Sequence, residues 1–107
     1  MKCYHVDIMQ SALDDIRDIR AYIAADNPVA ASQQRKRILS SAKSLARSPK
    51  RYRIRGKDLQ GRELRFLPCD NYVLIYYVDD NNNIVHLIQV ASSRRDIDSL
   101  IFPEQKS

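Results

Sequence analysis

Polar and apolar positions alternate at the start of the chain: Tyr4, Val6 and Ile8 fall on one side, Lys2, His5 and Asp7 on the other. A period of two over residues 2–9 predicts a strand, because successive side chains of an extended backbone point to opposite faces. The spacing then lengthens. Leu13, Ile16, Ile19, Tyr22 and Ile23 recur at helical intervals, which predicts a helix to about Asp26. Ser11 is its expected N-cap, with Asp14 three residues on, close to a capping box. Asn27-Pro28 predicts an immediate restart: Asn caps, and Pro lacks only an N–H that the first turn leaves unpaired anyway. Ala31, Ile38, Ala42 and Leu45, flanked by Leu39, form the apolar stripe of a second helix from about Pro28 to Ala46. Its outer face carries Gln33, Lys36, Arg37 and Lys43, and Ser48-Pro49 stops it. Two helices joined by so tight a break are expected to form an antiparallel hairpin on one face of a sheet.

Residues 50–61 read as a basic loop anchored by Leu59, Arg62–Leu67 as a strand, and Pro68 to Asn71 as a turn. Tyr72–Val78 is apolar throughout, which suits a central strand covered on both faces. A polar turn from Asp79 to Asn83 leads to a last strand, Ile84–Ala91. Arg95–Phe102 adds one helical turn, and residues 103–107 read as a flexible tail. The expected fold is α+β in the order β-α-α-β-β-β. It is a small twisted antiparallel sheet with an N-terminal helical hairpin packed on it, one domain over residues 1–107.

Composition narrows the function classes. Hydrophobic residues make up 44% and charged residues 29%, a globular rather than a disordered balance. Net charge is +5, and it is unevenly placed. From Lys43 to Arg65 nine Lys or Arg stand against Asp58 and Glu63, while the first helix carries Asp14, Asp15, Asp18 and Asp26. Such a local field steers an acidic partner: nucleic acid, an anionic surface or an acidic protein segment. Cys3 and Cys69 could meet if the first strand lay beside the second-strand region, but the N-terminus shows no signal-peptide pattern, so a reducing cytoplasm and free, buried thiols are expected. With His5 and His86 they show no ligand spacing, and neither metal nor cofactor is expected. No apolar run approaches the ~20 residues that span a bilayer, so no membrane partner is expected. No Ser/His/Asp set or Gly-rich phosphate loop is present.

The element order and four segments together resemble the RelE/ParE superfamily of toxins from bacterial type II toxin–antitoxin modules. The segments are Asn27-Pro28-Val29-Ala30-Ala31, Leu64-Arg65-Phe66-Leu67, Asn71 through Asp79, and Val90 through Arg94-Arg95-Asp96. The resemblance covers about residues 2–101. It implies a toxin neutralised by an acidic antitoxin. RelE- and YoeB-like members cut messenger RNA in the ribosome, and ParE-like members poison DNA gyrase. Cleaving members use Lys or Arg to stabilise charge building on the phosphate, and a late Tyr, His or Glu to move protons. Here the arginine they carry after the third strand's aromatic is replaced by Val73, and no late Tyr or His follows Arg95; Ser92 stands two before Arg94. Asp96, Asp98 or His86 could substitute as a base. These departures favour the ParE-like branch. RNA cleavage by an altered site, or an inactive binding module of the same fold, are the alternatives.

The candidate target- or nucleic-acid-binding residues are Arg53, Arg55, Lys57, Arg62, Arg65, Arg94 and Arg95; Arg65, Arg94 and Arg95 are the weak catalytic candidates. Arg65 could hold a phosphate or a target carboxylate, or an ion pair near Glu63 or with the hairpin's acids. Arg94 and Arg95 could face a target, or fix the last strand against Asp14 or Asp18. Arg51, Arg53 and Arg55 alternate as a phosphate-tracking row would, or line a solvated loop. Tyr72 and Tyr76 share one face, expected to be core, and Tyr77 takes the other; Tyr52 is the expected exposed aromatic contact. His5 and His86 read as satisfied core or rim residues.

Overall fold

A computed structural model describes residues 3–102; Lys2 and the expected tail at 103–107 lie outside the described residues. The elements are β1 (His5–Ile8), α1 (Gln10–Ala24), α2 (Pro28–Ser44), β2 (Ile54–Lys57), β3 (Glu63–Cys69), β4 (Tyr72–Asp79), β5 (Ile84–Ser92) and α3 (Ile97–Ile101). They build one five-stranded sheet in the order β1-β5-β4-β3-β2. The α+β architecture, the helical hairpin on the sheet and the antiparallel run of β3, β4 and β5 agree with the sequence reading. The sheet also has a parallel pair: β1 lies beside β5 with Asp7 opposite His86.

The expected basic loop contains a strand. Residues of β2 pair antiparallel with Glu63–Arg65 of β3 across a bulge, so part of the 50–61 segment is a sheet edge. An edge strand tolerates short length and Lys or Arg, which is why its composition reads as loop. Leu59 does not anchor it: the side chain is 69% exposed in the turn that follows. The turn expected from Pro68 is also shorter. Pro68 continues β3 opposite Val73, and only Asp70 and Asn71 turn the chain, with Asp70 at φ 56. Proline survives there because it lies past the stretch of β3 that pairs with β2.

Asn27 caps α2 as expected, its Oδ1 accepting the Ala30 N–H at 3.0 Å. Ser11 does not cap α1; Met9 holds that position, and the Ser11 hydroxyl is used elsewhere. In β5 the register against β4 slips at Ile88, which leaves one extra residue there. Without that bulge Val85, Leu87 and Gln89 would share a face; with it Val85, Leu87 and Val90 do. Helix α1 fastens the bulge. Ser11 Oγ donates to the Ile88 carbonyl at 2.5 Å, and Asp15 Oδ2 accepts the Val90 N–H at 2.9 Å.

The two faces carry separate cores. On the hairpin side Ala12, Ile16, Ile38, Ala42 and Leu45 pack on Leu67, Leu74, Tyr76 and Val90, with Tyr4, Val6 and Ile8 along the edge. On the other side Leu64, Phe66, Val73, Ile75 and Ala91 are covered by Ile97 and Phe102 from the α3 segment. The second-helix stripe and the two-sided burial of β4 are thus as expected. The stripe of α1 is narrower than expected, with Leu13 41% and Tyr22 82% exposed. Both thiols are free, but Cys3 is exposed; only Cys69 is buried, where Ser41 Oγ lies 3.4 Å from its sulfur.

Candidate functional site

The sheet sorts the expected cations into those that hold the fold and those that stand open. Arg65 belongs to the first kind. It sits on the hairpin face opposite Tyr76, and its Nη1 donates to the Tyr52 carbonyl at 2.5 Å and the Lys50 carbonyl at 3.3 Å. It makes no ion pair with Glu63 or with the hairpin's acids among the described residues. The Tyr76 hydroxyl donates to the Pro49 carbonyl at 2.6 Å, and burial pushes that phenol up to about 12. Lys50 Nζ reaches Asp80 at 2.7 Å. The segment after α2 is therefore tied down, and Tyr52 is half-buried against the hairpin-side core instead of exposed.

Arg62 is also engaged. Its guanidinium lies 2.7 Å from the Asp58 carboxylate and 5.0 Å over the Tyr77 ring. Burial pushes the Asp58 carboxyl up, but the Arg62 side-chain and backbone bonds outweigh it and hold the group below its ordinary value. Arg55 stacks 4.6 Å over Phe66 and approaches Asp98 at 3.9 Å, so the lower end of the basic row is part of the second core's rim. Arg53 and Lys57 are exposed on or beside the edge strand β2. Asp96 caps α3 by accepting from Ser99, and Asp98 approaches Arg55. His86 has a carboxylate partner, Asp7, at 3.1 Å and stacks on Tyr77 at 4.8 Å. Val73 is buried in the second core, on the face opposite Arg65.

Arg94 and Arg95 follow β5 and are exposed, without an ion pair to Asp14 or Asp18 among the described residues. They line a cleft of about 560 Å³ with Asp15, Asp18, Tyr22 and Asn71. Three elements converge there: the outer half of α1, the β3–β4 turn and the end of β5. The Asp70 turn is fixed from α2, where Arg37 Nε and Gln34 Nε2 donate to its carboxylate at 2.8 and 3.0 Å. The Arg37 bond holds that carboxyl below its ordinary value. Burial pushes Asp15 up, against the Val90 N–H and the Arg95 charge. The cleft is thus charge-balanced, with two arginines facing two aspartates and an exposed tyrosine at its wall. Tyr22, Asn71 and Asp15 were not among the expected site residues. Tyr22 fits the helical stripe too well for its exposure to be read from spacing.

Residues 6–97 match the family model described as the ParE toxin of the type II toxin–antitoxin system parDE. The chain belongs to the ParE toxin family. A curated relative, Toxin RelE2 of Caulobacter vibrioides, is 38% identical over 84 residues, covering 78% of this chain and 89% of that protein. Among solved structures, the chromosomal ParDE system from P. aeruginosa superposes with a TM-score of 0.68 at 15% identity, over 84% of this chain and 96% of that one. The RelBE2 toxin–antitoxin complex from Mycobacterium tuberculosis gives 0.62 at 19% identity, over 86% and 93%. At these identities the two structures show the shared fold alone. The expected RelE/ParE membership and fold are borne out. Among the described residues no helix is long and apolar enough to cross a membrane, and no three His, Cys, Asp or Glu side chains are grouped to hold a metal ion.

Proposed function

We propose that this type II toxin acts in the ParE manner, by docking on a protein target, DNA gyrase, through the cleft that bears Arg94 and Arg95. The observation that carries the reading is the division of the cations. Val73 is a buried core residue where cleaving members carry an arginine, and Arg65 is spent on backbone carbonyls on the opposite face. Arg94 and Arg95 are left open beside Tyr22, which is 82% exposed. Arginine and tyrosine are among the residue types enriched where interfaces concentrate their binding energy. In the cytoplasm an acidic antitoxin neutralises the chain; the P. aeruginosa and M. tuberculosis neighbours are toxin–antitoxin systems.

A second reading, messenger RNA cleavage at the ribosome, is favoured by the name of the Caulobacter relative and by the Asp7–His86 pair. Such a pair is the kind of oriented imidazole that general acid–base chemistry uses. Purified chain would be assayed for inhibition of gyrase supercoiling and, separately, for transcript cleavage in a translating lysate. Gyrase inhibition weakened at least about tenfold by a joint Arg94→Ala, Arg95→Ala change is expected. Transcripts cut while gyrase is untouched would establish the second reading. Folded protein with neither activity would leave a binding module of the same fold.

A further inference from the structure

Helix α2 buries one polar side chain in its apolar stripe. Gln34, 8% exposed, lies between Ala31 and Ile38 and is the one polar residue buried among the described residues. A buried amide needs partners, because it has given up its hydration. Gln34 finds one outside the core: its Nε2 donates to Asp70 Oδ2 at 3.0 Å. Arg37, three residues on, donates from Nε to the same oxygen at 2.8 Å. The Arg37–Asp70 pair is half-exposed and alone would hold the turn weakly, so the buried Gln34 is the firmer anchor. Asp70 stands at φ 56, the left-handed region, which Asp and Asn enter more readily than most side chains but still at a cost. The next residue carries the tether on. The Asn71 carbonyl accepts the Ser93 N–H at 2.9 Å and the Ser93 hydroxyl at 3.0 Å. Arg94 and Arg95 follow at once, in a turn closed by the Arg95 N–H on the Ser92 carbonyl at 3.1 Å.

We propose that Gln34, assisted by Arg37, is a positioning residue for the Arg94–Arg95 cleft: through Asp70, Asn71 and Ser93 it sets where the two arginines leave the sheet. That this cleft binds the target rests on the reading above. The path is unbroken, running from α2 to Ser93 through the hydrogen bonds on Asp70 and Asn71. Asn71 itself lines the cleft with Arg94 and Arg95, so a shift of the turn moves a wall and the cations together. Packing alone would not select glutamine at this position. Its stripe is otherwise Ala31, Ile38 and Ala42, where leucine would fill a similar volume with no polar group to satisfy. Arginine side chains are long and lose much rotamer freedom when bound. Fixing their backbone origin beforehand lowers the ordering cost of binding without any contact to the target. Loosening the turn should therefore weaken the target contact while the fold persists.

The test compares Gln34→Leu, Asp70→Gly and Asp70→Asn in the full chain. Leucine keeps the volume and drops the donor. Glycine keeps the left-handed backbone and drops the acceptor. Asparagine keeps the backbone preference and an acceptor oxygen. Hydrogen exchange, followed amide by amide, reads the tether, and inhibition of gyrase supercoiling reads the cleft. Gln34→Leu and Asp70→Gly are expected to speed exchange at the Ser93 amide at least about tenfold, with the central amides of β4 unchanged. Both should weaken gyrase inhibition at least about threefold, the size of effect a residue without target contact can exert. Asp70→Asn should stay near the parent in both readouts. A tie that only stabilises the fold would speed Ser93 and the β4 centre together, and that result would overturn the proposal. So would a parent-like Ser93 rate in Gln34→Leu, an Asn variant as loose as the Gly variant, or loosened variants that inhibit gyrase as well as an active parent. A parent that leaves gyrase untouched would sink the target reading. Ser93 exchange would then decide the positioning claim by itself, local loosening upholding it and a parent-like rate overturning it.

Discussion

Replacing Asp15 by alanine tests how the bulge in β5 is held. The Asp15 carboxylate accepts the Val90 N–H at 2.9 Å, at the point where the bulge has interrupted the strand ladder. Leaving a partly buried donor unsatisfied costs about 1–3 kcal/mol. Asp15 borders an open cleft that water can enter, so the low end, about 1–2 kcal/mol, applies. Alanine returns about 0.5 kcal/mol of helix propensity in α1. The net expectation is a loss of about 1 kcal/mol, which in a domain of this size lowers Tm by roughly 4–8 °C. Asp15→Asn keeps an acceptor oxygen and removes the charge that burial disfavours, so its stability at neutral pH should stay within about 0.5 kcal/mol of the parent.

The pH dependence has a definite sign. Burial raises the native Asp15 carboxyl above 3.8, so the folded chain holds that proton to higher pH than the unfolded chain. Its contribution is complete below the unfolded value and lost as pH rises through the native one. The stability of the Asn variant relative to the parent should therefore climb as pH rises above the ordinary carboxylate value. Urea unfolding gives the free energies, and hydrogen exchange at the Val90 amide gives a local readout. An alanine variant as stable as the parent, with Val90 protection unchanged, would refute the claim that α1 holds the bulge. An Asn variant as weak as the Ala variant would refute the acceptor argument.

Tyr76→Phe removes the donor to the Pro49 carbonyl inside the hairpin-side core, and calorimetry should show a loss of about 1–2 kcal/mol; no loss would mean water reaches that carbonyl. Asn27→Ala removes the α2 cap and should cost about 1 kcal/mol in denaturant unfolding, whereas Asn27→Gly should cost only a few tenths; equal costs would show that the side-chain bond is not the source. Because Arg62 holds the native Asp58 carboxyl below its unfolded value, that pair stabilises above the unfolded value and its contribution is lost as pH falls through the native one. Arg62→Ala should therefore narrow the stability difference between pH 7 and pH 3, read by urea midpoints at the two values; an unchanged difference would dismiss the pair as a source of acid sensitivity.

Much of the framework was legible because local chemistry and tertiary demand agree there. Asn27-Pro28 starts a helix in any context that lets it start, and Ala31, Ile38, Ala42 and Leu45 leave only one stripe to bury. The even apolarity of Tyr72–Val78 anticipated layers on both faces of β4, and Phe102 with α3 supplies the second. The candidate site was harder to read, since a cation's type does not reveal what its fork will meet. Arg65 and Arg62 look alike in the sequence, yet one meets backbone carbonyls and the other a carboxylate and a ring. Arg94 and Arg95 were identified, but not Tyr22 beside them, which helical spacing assigned to the core.

The hairpin and the three antiparallel strands were legible in periodicity and caps, and the family in the resemblance carried by four segments in order along the chain. Tertiary structure alone decided the rest. The edge strand β2 exists only because β3 offers it a free ladder, and β1 finds its parallel partner only because β4 leaves one edge of β5 open. The bulge at Ile88 decides which face Val90 joins, and Ser11 and Asp15, read as helix-start residues, hold that bulge in place. The same helix then presents aspartates to the Arg94–Arg95 cleft and arginines to a furrow it shares with α2, a separation set by its rotation against its neighbours.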